Sequence, residues 1–67
     1  MRWYIALIDE FDNEVKEVPY NDLTDALEDM RLYIDEDNEN CYLFDTALDR
    51  IIIEHKDGEL TDLLELL

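Results

Sequence analysis

Residues 35–40 read Asp-Glu-Asp-Asn-Glu-Asn, a run of carboxylates and amides with no basic residue among them. Oxygen donors at this density raise the question of a hard cation such as calcium. A calcium loop takes ligands from positions 1, 3 and 5, needs Gly at 6 for its sharp turn, and closes with a bidentate Glu at 12. Counted from Asp35, Asp37 and Glu39 suit positions 3 and 5. Asn40 stands where the Gly is needed and Thr46 where the closing Glu belongs. The turn residue and the strongest ligand are both missing, so no metal is assigned. The run is read instead as surface that something else binds.

Other chemistry finds less support. Cys41 is the only cysteine and His55 the only histidine, in different strands of the expected fold. Two ligands do not make a zinc site, and no further group orients the pair for nucleophilic attack. Cys41 reads as a small apolar strand residue and His55 as an ordinary sheet residue. Paired carboxylates for acid–base work need a pocket that sets their pKa values apart, and nothing signals one. The expectation is a protein that is not an enzyme and carries no cofactor.

The elements that position these residues follow from apolar spacing. Residues 2–9, RWYIALID, read as a strand with Trp3, Ile5 and Leu7 on one face and Tyr4, Ala6 and Ile8 on the other. Both faces are apolar, which places the strand inside a sheet. A turn at 10–13 leads to a more polar edge strand at 14–18, ended by Pro19. Asn21 or Asp22 caps a helix over 22–35, whose apolar stripe is Leu23, Leu27, Met30 and Ile34, widened by Ala26 and Tyr33. The 35–40 run is then its exit loop.

Strands at 41–45 and 50–55 follow, joined by a hairpin at 46–49, with a turn at Asp57-Gly58. Leu60, Leu63, Leu64 and Leu67 share one face of a short C-terminal helix. The predicted architecture is a single α+β domain over 1–67, ββαββα, with a four-stranded antiparallel sheet, one long helix packed on it and the short C-terminal helix. One helix covers one face of a sheet. The second apolar face must meet the C-terminal helix, a second copy of the chain, or a partner; in a homodimer the Leu-rich tail is the expected contact.

Charge narrows the partners. Twenty acids against five bases give a formal net charge of −15 in 67 residues. Such acidity often marks disorder, but disorder goes with few apolar residues, and 48% of this chain is hydrophobic. The acids run from Asp9 to Glu65, so the charge belongs to the folded body. Self-repulsion of this size costs stability, which salt should restore. The opening MRWYIALI holds a short apolar run ended by Asp9. A secretory core needs about 7–15 apolar residues and a membrane span about 20. A cytoplasmic protein with no membrane association is expected, and a lone thiol fits a reducing compartment.

A basic partner is the natural counterpart. Duplex DNA carries one charge per ~1.7 Å of its axis, and its binding proteins meet it with arrays of Lys and Arg. Carboxylates one helical turn apart, or two strand residues apart, are spaced by roughly 6–7 Å, comparable to neighbouring phosphates. The expected partner-binding residues are Asp22, Asp25, Glu28 and Asp29 on the helix and Asp35, Glu36, Asp37 and Glu39 after it. Tyr20, Tyr33 and Phe11 could add selectivity. Composition, size and an acid-covered α+β body resemble the small phage and mobile-element proteins that imitate DNA to block restriction, CRISPR or other nucleic-acid enzymes. That resemblance implies a competitive inhibitor of a basic nucleic-acid-binding protein, with no direct nucleic-acid contact. Two other readings stand beside it: an immunity protein or antitoxin neutralising one cationic toxin, and a structural or regulatory subunit docking through LTDLLELL.

Overall fold

Alternating apolar residues build most of this molecule as sheet. A computed structural model describes residues 1–67. Strands β1 (Trp3–Ile8) and β2 (Glu14–Tyr20) precede helix α1 (Leu23–Asp37), and β3 (Cys41–Asp45), β4 (Arg50–Lys56) and β5 (Glu59–Asp62) follow it. The order across the sheet is β2-β1-β3-β4-β5, and every neighbouring pair is antiparallel. The one helix is not long and apolar enough to cross a membrane.

The expected four-stranded sheet with a second helix is thus corrected to five strands and one helix. Residues 59–62 pair with β4, His55 opposite Leu60 and Ile53 opposite Asp62. The cause is the two-residue connection Asp57-Gly58, where both φ angles are positive, 53° and 79°. Such a turn has the twist of a tight hairpin. It returns the chain along the edge of β4, whose backbone would otherwise stay unpaired. The leucine spacing that suggested a helix is overridden by that pairing. Past β5 the Leu63 N–H donates to the Ile52 carbonyl at 3.0 Å, and Leu66 and Leu67 pack back against the core.

Two smaller expectations also change. Pro19 lies inside β2, opposite Tyr4, and does not end it. β2 is an edge strand, where a missing N–H need not break a ladder. α1 runs on to Asp37, so Asp35, Glu36 and Asp37 form its last turn and are not an exit loop. It stops because Asn38 adopts the left-handed conformation at φ 48°, which Asn tolerates better than most residues. Asn38 and Glu39 then donate their N–H groups to the Ile34 and Tyr33 carbonyls, each at 3.1 Å. At the other end Asp22 is the cap, its Oδ1 accepting the Thr24 N–H at 2.8 Å.

α1 lies on one face of the sheet. Ile5, Leu43 and Ile53 stand side by side on β1, β3 and β4, fully buried together with Ala26 and Met30 of the helix. Burying a side chain of this size contributes about 1.5–3 kcal/mol, so this small cluster is the main source of cohesion. A bulge in β4 sets Ile53 opposite Leu43 and Ile51 opposite Phe44. The extra residue, Ile52, joins the core.

Polar residues close the ends of that core. Asp45 is only 3% exposed. Its carboxylate takes two bonds from the Arg2 guanidinium at 3.1 and 3.2 Å, one from Trp3 Nε1 at 3.2 Å, and the N–H groups of Ala47 and Leu48 at 2.9 and 3.2 Å. Burial pushes its carboxyl up, but these donors outweigh burial and hold it below the usual range. His55, also buried, donates from Nδ1 to the Glu39 carbonyl at 2.6 Å. A carbonyl only accepts, so the proton sits on Nδ1.

Candidate acidic interaction surface

With 3.6 residues per turn, the side of α1 opposite buried Ala26 and Met30 carries Asp25, Glu28, Arg31, Leu32, Asp35 and Glu36, all exposed, with Arg31 as the one cation between Glu28 and Asp35. Leu32 stands among these carboxylates with 53% of its surface exposed. Asp29 lies at the side of this face and lines a shallow groove with Leu32, Tyr33, Glu36 and Asp37, the last at the helix end. Asp25 and Asp29 are one turn apart, about 6 Å along the axis, and Glu28 and Asp35 two turns, about 10.5 Å.

Not every acid singled out from sequence is free for a partner. Asp22 is occupied as the helix cap. Asp29 Oδ2 accepts the Tyr20 hydroxyl at 2.6 Å and so ties α1 to β2. Glu39 sits half-buried in the loop before β3, away from the outer helix face. The strand-like ladder of Asp35, Asp37 and Glu39 does not form, because Asp35 and Asp37 are helical and diverge by about 200° around the axis. Asp12 and Glu14 do not form an open pair either: Asp12 lies in the β1–β2 turn and binds Lys56 Nζ at 2.7 Å. Of the proposed selectivity residues, Phe11 is 75% exposed, whereas Tyr20 and Tyr33 pack against the core.

Two ion pairs exist in the molecule, Arg2–Asp45 and Lys56–Asp12, and neither involves α1. The last turn of the helix holds no basic residue. Helix C-termini carry partial negative charge and favour cations, so Asp35, Glu36 and Asp37 stand where the backbone itself repels them. No three His, Cys, Asp or Glu side chains are grouped so as to hold a metal ion.

Sequence reasoning missed a second cluster. On the sheet face away from α1, Tyr4 stacks on Phe44 with ring centroids 5.2 Å apart and meets Tyr42 edge-on at 6.3 Å. The Tyr42 hydroxyl donates to Glu14 Oε1 at 2.7 Å. Alternation in CYLFD carried the signal: it puts Tyr42 and Phe44 opposite to Cys41, Leu43 and Asp45, just as Tyr4 is opposite to Trp3 and Ile5. Comparison of the chain with protein families, with curated proteins and with solved structures finds no match.

Proposed function

We propose that this protein is a small acidic inhibitor that presents nucleic-acid-like charge and blocks a basic DNA- or RNA-binding enzyme or complex. One observation carries the reading: Asp35, Glu36 and Asp37 crowd the last turn of α1, which holds no basic residue, and Arg31, one turn back beside Asp35, is the single cation of the helix. Each opposes the helix dipole by a few tenths of a kcal/mol, roughly, and solubility needs far less charge than −15. Charge placed against local stability is best accounted for by a partner that compensates it. Asp25, Glu28, Asp35 and Glu36 would meet the Lys and Arg of the target's nucleic-acid groove, with Asp29 at the side of the same face. Leu32 supplies an apolar contact at the centre. Attraction between the opposed fields makes association fast and salt-sensitive. Such a target places the protein in the cytoplasm, where the free thiol of buried Cys41 persists.

The test is a pull-down from nuclease-treated lysate of the source cell or its host, with bound proteins challenged by salt and by added duplex. Recovery of a nucleic-acid-handling enzyme that duplex displaces supports the reading, provided that Asp25→Asn/Glu28→Gln/Asp35→Asn/Glu36→Gln loses it. One tight partner that duplex cannot displace turns the reading toward an immunity protein or antitoxin. Absence of any partner removes both.

A further inference from the structure

α1 covers one face of the sheet, and no element of the chain covers the other. Cross-strand register puts Tyr4, Tyr42 and Phe44 at the centre of that open face, with Glu14 and Glu17 on the β2 side and Glu54 on the β4 side. Its single lysine, Lys56, is held by Asp12 at 2.7 Å. Three carboxylates therefore ring an aromatic cluster, and the one cation near them, Lys56, feels the charge of Glu54 but is ion-paired to Asp12. Glu14 and Glu17 are close enough to interact: a hydrogen bond to Glu14, some desolvation and the charge of Glu14 hold the Glu17 carboxyl above its usual range. Tyr42 fixes Glu14 beside its own ring through the 2.7 Å hydroxyl bond.

We propose that the open sheet face, centred on Tyr4, Tyr42 and Phe44 and ringed by Glu14, Glu17 and Glu54, is a second contact surface that binds an arginine-presenting protein surface. Guanidinium suits both parts of it. Its planar cation stacks on aromatic rings, and its fork of N–H donors pairs with carboxylates in two-point geometry. An ammonium offers only a point charge. A second copy of this chain does not suit it, since a two-fold contact centred on the aromatic cluster would set one ring of carboxylates against the other. Aromatic centre and charged rim match the general anatomy of protein interfaces. This surface lies on the opposite side of the molecule from the outer acids of α1, and the inference stands whether or not those acids imitate nucleic acid.

The test is an amide-resolved NMR titration of the 15N-labelled chain with octa-arginine and, separately, octa-lysine at one ionic strength. Octa-arginine is expected to shift β1 and β3 amides around Tyr4, Tyr42 and Phe44 saturably, about tenfold more tightly than octa-lysine. Glu14→Gln/Glu17→Gln, two exposed positions, should weaken that binding about tenfold while leaving the remaining spectrum in place. Equal affinity for the two peptides, shifts confined to α1, or dimerisation through this face in sedimentation would each overturn it. The α1 variant used for the nucleic-acid reading keeps this surface intact, so either idea can fail alone.

Discussion

The Tyr20 hydroxyl donates to Asp29 Oδ2 at 2.6 Å and thereby fastens α1 to the edge strand β2. An acid that sequence alone assigns to a partner is thus also structural. Tyr20→Phe removes the donor, and the expected loss is about 1 kcal/mol, measured by urea denaturation. Burial first, and then the Asp29 carboxylate, push the Tyr20 phenol above its ordinary range. Stability from that shift is complete below the ordinary phenol pKa, near 10, and is lost as pH rises through the raised value. The gap between wild type and Tyr20→Phe should therefore narrow only in strong alkali.

Asp45 is expected to be the most costly single acid to remove. Asp45→Ala strands the Trp3 indole, the Arg2 guanidinium and two backbone N–H groups, for a loss of about 3 kcal/mol. Its carboxyl is held below the normal value of 3.8. Asp62 is shifted down likewise: burial raises it, but backbone N–H groups of Leu66, Leu67, Leu64 and Glu65 outweigh that. Both contributions are present above the unfolded pKa and fall away as pH drops through the lower folded values. The Asp45→Ala deficit should shrink over the same acidic range, seen as converging urea midpoints.

Cys41 is fully buried. Burial first, with the charge of Glu39 adding to it, pushes its thiol up to about 11. The thiolate is the reactive form. In mildly alkaline buffer a thiol reagent should modify the folded chain only as fast as the chain opens, and the denatured chain at once. Rapid labelling under native conditions would contradict the packing around β3.

Gly58 adopts φ +79°, and an added Cβ would meet no atom within 4 Å. Gly58→Ala therefore tests backbone strain without a clash. A loss of about 1 kcal/mol is expected, with faster amide exchange in β5 than in β1.

Repulsion among the surface acids should make the melting temperature rise with NaCl. Asp35→Asn/Glu36→Gln/Asp37→Asn lightens the charge at the unfavourable end of α1. It should raise the melting temperature at low salt and flatten the salt response. An unchanged slope in a thermal series would show that these three carboxylates contribute little to the repulsion.

Much of this architecture could be read from local pattern. Strand-forming residues bounded by turn signals located β1, β3 and β4, with alternation assigning the two faces of β1, and the stripe Leu23, Leu27, Met30 and Ile34 located α1, because each encodes burial against a neighbour. The tail misled because Leu60, Leu63, Leu64 and Leu67 satisfy a helical period over a length too short for period to decide. The signal that did decide, Asp57-Gly58 between two apolar segments, marks a hairpin through the backbone angles it permits. Placing Asp35–Asp37 in a loop failed for a related reason: helix ends are set by the residue that can turn left-handed, here Asn38, and not by where polarity rises.

By itself the sequence determined the charge, the apolar stripe of α1, and the alternation that gives β1 two apolar faces. Tertiary structure alone decided what these mean. Strand order and pairing chose which face α1 covers, left Tyr4, Tyr42 and Phe44 together on the uncovered one, and divided the acids among a helix cap, a hydroxyl acceptor, a buried anchor and a free outer row. Those outcomes depend on contacts between residues far apart in the chain, such as Arg2 with Asp45 and Tyr42 with Glu14, and local spacing carries no information about partners at that separation.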